Sequence, residues 1–205
     1  MGKAVSSMAE SAVMPPVQAV AFPPVAFQLA DASLADALLV RWGHYLGPCN
    51  RPFGRQDWVL ALNGEPLAVA TSASIVSASV AGYGRGEIVE LARLCSAPEA
   101  SWATRVMLRL WREVGAQGWP YWPVQAAVAY SQNIRHPGNI YRFDGWERIS
   151  DNCGSNGGGA WSRKRYAGDA AHGRKTLWLW RYGPRPTSGG RMLDGREWDE
   201  TLEVR

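Results

Sequence analysis

Four ionisable side chains stand where they could move protons: His44, Glu90, His136 and Tyr141. Histidine titrates near neutral pH and therefore suits proton transfer. A phenol stays protonated at neutral pH, so a tyrosine hydroxyl that is held in place can deliver its proton. Glu90, or its neighbour Glu87, could take a proton from an attacking nitrogen directly or through one water. These are the candidate catalytic residues, and ordinary structural or surface roles are the alternative for each.

A second chemical feature is the start of the clearest helix, which the apolar periodicity predicts over 101–116. The N-terminus of a helix has unpaired N–H groups and the positive end of the helix dipole, so it suits a pyrophosphate. The hydroxyls of Ser101 and Thr104 and the guanidinium of Arg105 could add to such an anion site. The bulk of Trp102 does not favour it.

Positive charge is concentrated late in the chain. The 205 residues carry a formal net charge of +4, the isoelectric point is near 9.1, and the basic cluster within 161–182 is opposed only by Asp169. Lysine and arginine can replace condensed counterions on DNA phosphates. A solvated loop face is the alternative. The candidate nucleic-acid-binding residues are Arg163, Lys164, Arg165, Arg174 and Lys175.

Composition excludes several classes of protein. Cys49, Cys95 and Cys153 are odd in number and far apart, which argues against a disulfide framework and fits a reducing cytoplasm. The histidines are equally scattered, so we expect no metal site. No run of about 18 apolar residues is present, so we expect no membrane span. The first residues lack an apolar core, so we expect no signal peptide and a cytoplasmic protein.

Hydrophobic patterning predicts one α+β domain over 25–182, between a flexible arm at 1–24 and a C-terminal tail at 183–205. Asn63-Gly64 is a strong hairpin signal, and Arg93 is expected to pair with Glu90. A helix is expected from Asp31 or Ser33 to about Tyr45, and a short helical turn near 138–144. The predicted strands are 25–29, 58–62, 67–77, 87–95, 124–130, 146–149 and 176–182.

This element order resembles the GNAT acyltransferase fold, and the motif Tyr141-Arg-Phe-Asp-Gly-Trp146 has the spacing found between its fourth helix and the next strand. The resemblance implies a GNAT-like mixed, mostly antiparallel central sheet flanked by helices, splayed between the strands at 87–95 and 124–130. It also implies acetyl-CoA or another acyl-CoA as donor. Backbone N–H of the fourth strand would hold the developing oxyanion, and Tyr141 would protonate the leaving thiolate.

The same resemblance implies where the donor binds. The segment 90–98 and the helix after it are similar to the fourth strand, cofactor loop and third helix of the family. Ordinary members have Arg/Gln-x-x-Gly-x-Gly/Ala in that loop, whereas residues 99–105 contain no glycine. The implied cofactor-binding residues are Leu94, Cys95, Ser101, Thr104, Arg105 and Asn139.

A subgroup is indicated by the stretch 129–146, which resembles the Mom family of phage DNA-modification proteins through His136-Pro-Gly-Asn-Ile-Tyr141. The segment Trp42-Gly-His44-Tyr45 is similar to a segment near the start of those proteins. Mom proteins add a carbamoylmethyl group to adenine in DNA and protect phage DNA from restriction. That resemblance implies DNA as partner and a base that is flipped out or single-stranded. Small GNAT-like phage proteins of unassigned function share other segments, at 90–95, 157–162 and 175–178.

Three functions therefore stay open. The first is a phage or prophage enzyme that modifies DNA bases. The second is an N-acetyltransferase that uses acyl-CoA and acts on a small molecule or a protein. The third is a non-catalytic module that binds nucleic acid or protein and kept only the scaffold. Acyl-CoA binding separates the first two from the third, and dependence on DNA separates the first from the second.

Overall fold

The structure is a computed structural model that describes residues 24–51, 53–133, 135–153 and 174–183. Nearly all of the predicted N-terminal arm, and the predicted tail from residue 184, lie outside these residues. In the described part of the chain, no helix is long and apolar enough to cross a membrane. The elements are β1 (Val25–Ala30), α1 (Ala32–Arg41), β2 (Arg55–Leu62), β3 (Glu65–Ala73), β4 (Ser79–Val80), β5 (Tyr83–Gly84), β6 (Ile88–Ser96), α2 (Ala103–Leu110), β7 (Ala126–Gln132), α3 (Asn139–Phe143), β8 (Glu147–Cys153) and β9 (Lys175–Arg181).

A seven-stranded sheet in the order β1-β2-β3-β6-β7-β9-β8 forms the centre of the fold. All neighbouring strands are antiparallel except β6 and β7, which are parallel. The predicted α+β class, with a mixed and mostly antiparallel sheet flanked by helices, is confirmed.

The hairpin between β2 and β3 is closed by the two residues that the sequence pointed to. Asn63 has a φ of 53° and Gly64 a φ of 84°. Positive φ at both central residues gives a turn whose twist matches that of the flanking strands, and asparagine and glycine tolerate this conformation best.

Two details differ from the predicted elements. The segment predicted as a loop between β3 and β6 contains the small hairpin of β4 and β5. The first helix ends at Arg41 rather than near Tyr45, because Gly43 turns the chain with a φ of 66°. Asp31 stands at its N-cap position but makes no side-chain capping bond.

The two faces of the sheet are covered differently. On the α2 side, Met107 and Leu108 of the helix and Trp111 after it pack on the sheet in a core that is rich in tryptophan. The predicted helix of 101–116 is here α2 followed by a π-helical turn, Trp111–Gly115. On the α1 side, Leu38 and Leu39 pack over β2 and β3.

The short helix α3 lies unusually close to β9. Gly138 at its N-cap position has a φ of 79°, and an added Cβ would lie 2.5 Å from the Trp178 ring. The Trp178 indole is itself fixed, because its Nε1 donates to the Ser131 hydroxyl at 2.8 Å. Glycine is therefore required both for the backbone conformation and for the approach of the helix.

Replacing Gly138 with alanine is expected to destabilise the fold by about 2–4 kcal/mol, because left-handed strain and overpacking against a fixed ring act together. The matched control is Gly82→Ala, where φ is 87° and nothing lies within 4 Å of the added Cβ. That control is expected to cost about 1 kcal/mol, from strain alone. Urea unfolding of both variants measures the difference, and equal losses would contradict the packing argument.

Candidate active site

The sheet opens between its two parallel strands. Pairing of β6 with β7 runs only from Ile88 to Leu91. Beyond Leu91, β6 continues along β3 as far as Ser96, while β7 continues along β9 as far as Gln132. The two strands therefore diverge, as the predicted splay requires, and leave a gap through the sheet.

A β-bulge lies where this gap begins. Leu91 is opposite Ser72 and Arg93 is opposite Thr71, so Ala92 is an extra residue on β6 with no register partner on β3. The extra residue of a bulge is left out of the ladder, and its backbone groups can point elsewhere. The bulge also turns Ala92 and Arg93 to the same side of the sheet, the α1 side, where Ala92 contacts Cys49 and Ala73.

Tyr141 approaches the gap from the α2 side. Its ring is only 8% exposed and packs against Trp146 at 5.4 Å and Trp178 at 5.8 Å between ring centroids. Burial, with the nearby Tyr45 and Glu90, raises the pKa of the Tyr141 hydroxyl above its usual range. The hydroxyl therefore stays protonated at neutral pH and can donate a hydrogen bond.

A cluster of rings faces Tyr141 from the α1 side. His44 stacks on Tyr45 at 5.2 Å, and Tyr45 lies 6.1 Å from His136. The guanidinium of Arg135 also lies over the Tyr45 ring, 5.4 Å from its centre. The two histidines predicted from the sequence, 92 residues apart by their numbers, thus both contact one tyrosine.

His44 is held in its neutral form. Burial, then the charges of Arg93 and His136, lower the pKa of its imidazole from 6.5 to about 4. Its Nδ1 accepts from the Leu46 backbone N–H at 3.3 Å, so the proton of the neutral ring is on Nε2. This ring can therefore donate a hydrogen bond through Nε2 and is not a general base at neutral pH.

Glu90 is the buried carboxylate of the site. Val89 and Leu91 face the α2 core, so strand alternation turns Glu90 to the α1 side, where it is 4% exposed. It forms an ion pair with Arg51. Burial raises the pKa of the Glu90 carboxyl group, and the charges of Arg51, Arg93 and Lys175 act in the opposite direction.

The expected pairing of Arg93 with Glu90 is wrong: the ion pair is made by Arg51. Arg93 instead donates to the carbonyls of Gly47, Pro48 and Ala92. Arg93 lies on the same side of the sheet as Glu90, but its guanidinium is occupied by these three carbonyls. Arg93 thereby ties the loop after α1, which carries His44 and Tyr45, to the start of the gap.

Glu87, the alternative to Glu90, has a structural role. It lies in a 3-10 turn before β6, where its carboxylate accepts from the Gly84 N–H at 2.6 Å and from the Gln125 amide at 3.3 Å. It is therefore engaged in holding the start of β6.

A cleft of about 240 Å³ separates α2 from α3 on the other side of the gap. Its walls contain both cationic and apolar side chains. Arg105 lies 6.0 Å from the centre of the exposed Phe143 ring, and Arg109 donates to the Asp144 carboxylate at 3.0 Å. The lining residues are Arg105, Val106, Leu108, Arg109, Ile140, Phe143 and Asp144.

The other implied donor-binding residues do not line this cleft. Ser101 and Asn139 are exposed, at the approach to α2 and the first position of α3. Thr104 donates to the Ser96 hydroxyl at 2.7 Å. Leu94 packs on the α2 core, whereas Cys95 packs on the α1 side, so these two side chains point to opposite faces of β6.

Of the five candidate nucleic-acid-binding residues, Arg163, Lys164 and Arg165 lie outside the described residues. Arg174 is exposed and donates to the Asn152 side chain at 3.3 Å. Lys175 is half-buried, and burial lowers the pKa of its ammonium group while the charge of Glu90 acts in the opposite direction. Arg174 and Lys175 are thus adjacent in sequence but have different surroundings.

The structure therefore brings His44 and His136 to Tyr45, and brings Tyr141 and Lys175 within electrostatic range of Glu90. Sequence reasoning missed Arg51, because it lies in an irregular loop without periodicity and pairs with a residue 39 positions away. Sequence reasoning also missed Tyr130, because it lies in a strand of otherwise mostly apolar residues. Burial and the charge of Glu90 raise the pKa of its hydroxyl.

The imidazole of His44 is expected to titrate with a midpoint of about 4. Because its folded-state pKa lies below the unfolded value of 6.5, its contribution to stability is complete above pH 6.5 and is lost as the pH falls toward 4. Proton–nitrogen NMR titration, assigned with His44→Gln, measures the midpoint. A midpoint near 6.5, or an unfolding free energy with the same pH dependence in His44→Gln, would contradict the buried neutral state.

No protein-family profile and no curated protein matches this sequence. Comparison of the fold with solved structures gives many matches. Arabidopsis thaliana NAA60 in complex with a bisubstrate analogue is 9% identical, with a TM-score of 0.54 over 77% of this chain and 98% of that one. The IAA acetyltransferase from Bacillus cereus is 12% identical, with a TM-score of 0.51 over 77% and 99% of the two chains.

A structure from Desulfovibrio desulfuricans that is assigned to the GNAT family of acetyltransferases is 14% identical, with a TM-score of 0.50 over 77% of this chain and 99% of that one. The chain spans nearly the whole length of each of these proteins. At such low identity the likeness concerns architecture alone. The protein thus has the GNAT acetyltransferase fold, with its sheet opened between β6 and β7.

Proposed function

We propose that the protein is an N-acyltransferase that takes its acyl group from an acyl-CoA. The observation that carries this proposal is the burial of Tyr141 between Trp146 and Trp178, where Glu90 of the diverging strand β6 is near enough to act on the pKa of its hydroxyl. An acid, backbone N–H groups at a bulge and a carboxylate match the needs of acyl transfer to an amine.

The cleft between α2 and α3 suits the donor. Arg105 and Arg109 offer positive charge for phosphates, while Val106 and Phe143 offer apolar surface. The loop before α2 lacks glycine, but Trp102 there needs none, because its backbone is helical with a φ of −61°. Its side chain is 56% exposed and does not line the cleft. The bulky residue therefore does not fill the space that the donor needs.

Each step of the transfer has a residue near the gap. The donor supplies a thioester carbonyl, which an amine can attack. Glu90 takes a proton from the attacking nitrogen, directly or through one water. The N–H groups at the bulge, around Ala92, stabilise negative charge on the carbonyl oxygen. As the carbon–sulfur bond breaks, Tyr141 gives its proton to the leaving thiolate.

Tyr141→Phe is expected to lower kcat by about 100-fold, the usual size of general acid catalysis. The aromatic ring remains in its contacts with Trp146 and Trp178, so folding and donor binding are expected to persist. Release of free thiol from acetyl-CoA with a panel of amines measures turnover, and calorimetric titration with coenzyme A measures binding. The matched control is Tyr121→Phe, because Tyr121 is exposed and packs on Trp119, away from the gap.

Three outcomes separate the possibilities. Loss of turnover in Tyr141→Phe alone, with coenzyme A binding kept, supports the proposal. Wild-type turnover that survives in Tyr141→Phe would refute the role of the hydroxyl. Absence of coenzyme A binding in the wild type would refute the proposed donor and favour a scaffold without catalysis.

DNA bases are a second candidate acceptor, favoured by where the basic segment joins the fold. Cys153 at the end of β8 is paired with Lys175 at the start of β9, and Lys175 is opposite Gln132 at the end of β7, so the described residues on either side of this segment lie at the end of the sheet where β6 and β7 diverge. That segment carries Arg163, Lys164 and Arg165. Cations attached there could neutralise DNA phosphates while a flipped base enters the opening.

Expression of the protein in cells is expected, under this second candidate, to produce a modified nucleoside in cellular DNA. Mass spectrometry of digested DNA, beside an empty vector and Tyr141→Phe, detects it and gives the mass of the added group. A new nucleoside that fades in the variant identifies DNA as acceptor, because the hydroxyl is needed to release the donor thiol. An unchanged nucleoside profile with soluble protein present contradicts a DNA acceptor.

A further inference from the structure

The α1 side of the gap carries more positive than negative charge. The charges of Arg51, Arg93 and Lys175 all act on the buried carboxylate of Glu90. Arg135 adds a further cation nearby, over the Tyr45 ring. Two further carboxylates on this side, Asp36 and Asp57, share one arginine, Arg55, and do not pair with the cations around Glu90.

The three cations near Glu90 are engaged to different degrees. Arg93 donates to three backbone carbonyls and is part of the framework. Arg51 binds Glu90 through one terminal nitrogen, and its side chain is 17% exposed. The ammonium of Lys175 makes no hydrogen bond or ion pair within the described part of the chain.

Strand geometry directs Lys175 toward the same opening. Leu177 and Leu179 of β9 pack with Ile88 and Val128 on the side of the sheet opposite α2. Alternation along β9 therefore turns Lys175 to that side as well, which is the side of Glu90. A half-buried cation without a partner is costly, and an anion that enters the opening would remove this cost.

We propose that the acceptor is an amine that carries its own anionic group, a carboxylate or a phosphate, which Lys175 and Arg51 bind while the amine lies beside Glu90. This inference rests on the proposed function and names the class of its acceptor. An amine without an anionic group would enter, when protonated, a region with an excess of like charge. The anionic group offsets that excess and competes with Glu90 for Arg51, which frees the carboxylate to take the proton.

The test compares amines in matched pairs, with acetyl-CoA as donor. β-Alanine is set against β-alaninamide, and 2-aminoethyl phosphate against ethanolamine, so that the carboxylate and phosphate sources are separated. In the wild type, the anionic member of at least one pair is expected to have a KM about tenfold lower, the effect of one charge-assisted contact. Lys175→Gln is expected to remove most of this difference, and the readout is the ratio of the two KM values within each pair, which a general loss of activity would not change.

The control variant is Arg41→Gln, which removes one exposed positive charge from the end of α1 and is expected to keep the preference. Lys175→Gln is the principal variant, because loss of Arg51 would leave Glu90 buried without its partner and could unfold the protein. Arg51→Lys keeps the charge and is expected to keep most of the preference.

Binding is measured separately, by calorimetric titration with N-acetyl-β-alanine and its amide, and with N-acetyl-2-aminoethyl phosphate and N-acetylethanolamine. Tighter binding of an anionic member, lost in Lys175→Gln, supports the inference even where turnover is absent. Equal binding of both members of both pairs overturns it. Turnover of neutral and anionic amines with equal KM overturns the inference and leaves the proposed acyl transfer intact. Modification of DNA, with no turnover of any of these amines, overturns the inference in favour of the nucleic-acid acceptor.

Discussion

The separation of β6 from β7 beyond Leu91 is the constraint on which the rest of the site depends. Strands that stop pairing leave backbone N–H and C=O groups facing a gap, and such groups need partners or solvent. The bulge at Ala92 begins this separation and turns two successive side chains to the α1 side. The loop after α1 is then fixed across the opening by the Arg93 guanidinium.

Tyr141 can occupy the gap from the other side only because α3 is anchored at both ends. At its start, Gly138 allows contact with the Trp178 ring. At its end, Asp144 accepts from Arg112 at 2.6 Å, and Arg112 lies 3.9 Å from the centre of the Trp180 ring. Asp144 also accepts from the Trp146 indole at 3.1 Å. A five-residue helix has little stability of its own, so these tertiary contacts set the position of the hydroxyl.

Local patterns in the sequence predicted much of this fold, and long-range pairing set the rest. The turn at Asn63-Gly64 and the amphipathic α2 follow from rules that act within a few residues. The candidate proton-transfer residues were found because their residue types limit the chemistry, but only the topology brings His44 to His136. The ion pair of Arg51 with Glu90 could not be predicted, because Arg51 lies in an irregular loop 39 positions from the carboxylate. The bulge at Ala92, which sets the side that Arg93 faces, leaves no reliable mark in a single sequence.

The grouping of Glu90 with Arg51 and Lys175 is better explained by function than by stability. Removing a carboxylate and a guanidinium from water costs about as much as their attraction returns, so an apolar pair of similar volume would hold β6 equally well. A further lysine without a partner in the described surroundings adds cost and no compensating contact. Shifted ionisable groups gathered at a single opening are the pattern of sites that bind or react with ligands. The chain therefore keeps at this gap an arrangement that a purely structural core would not require.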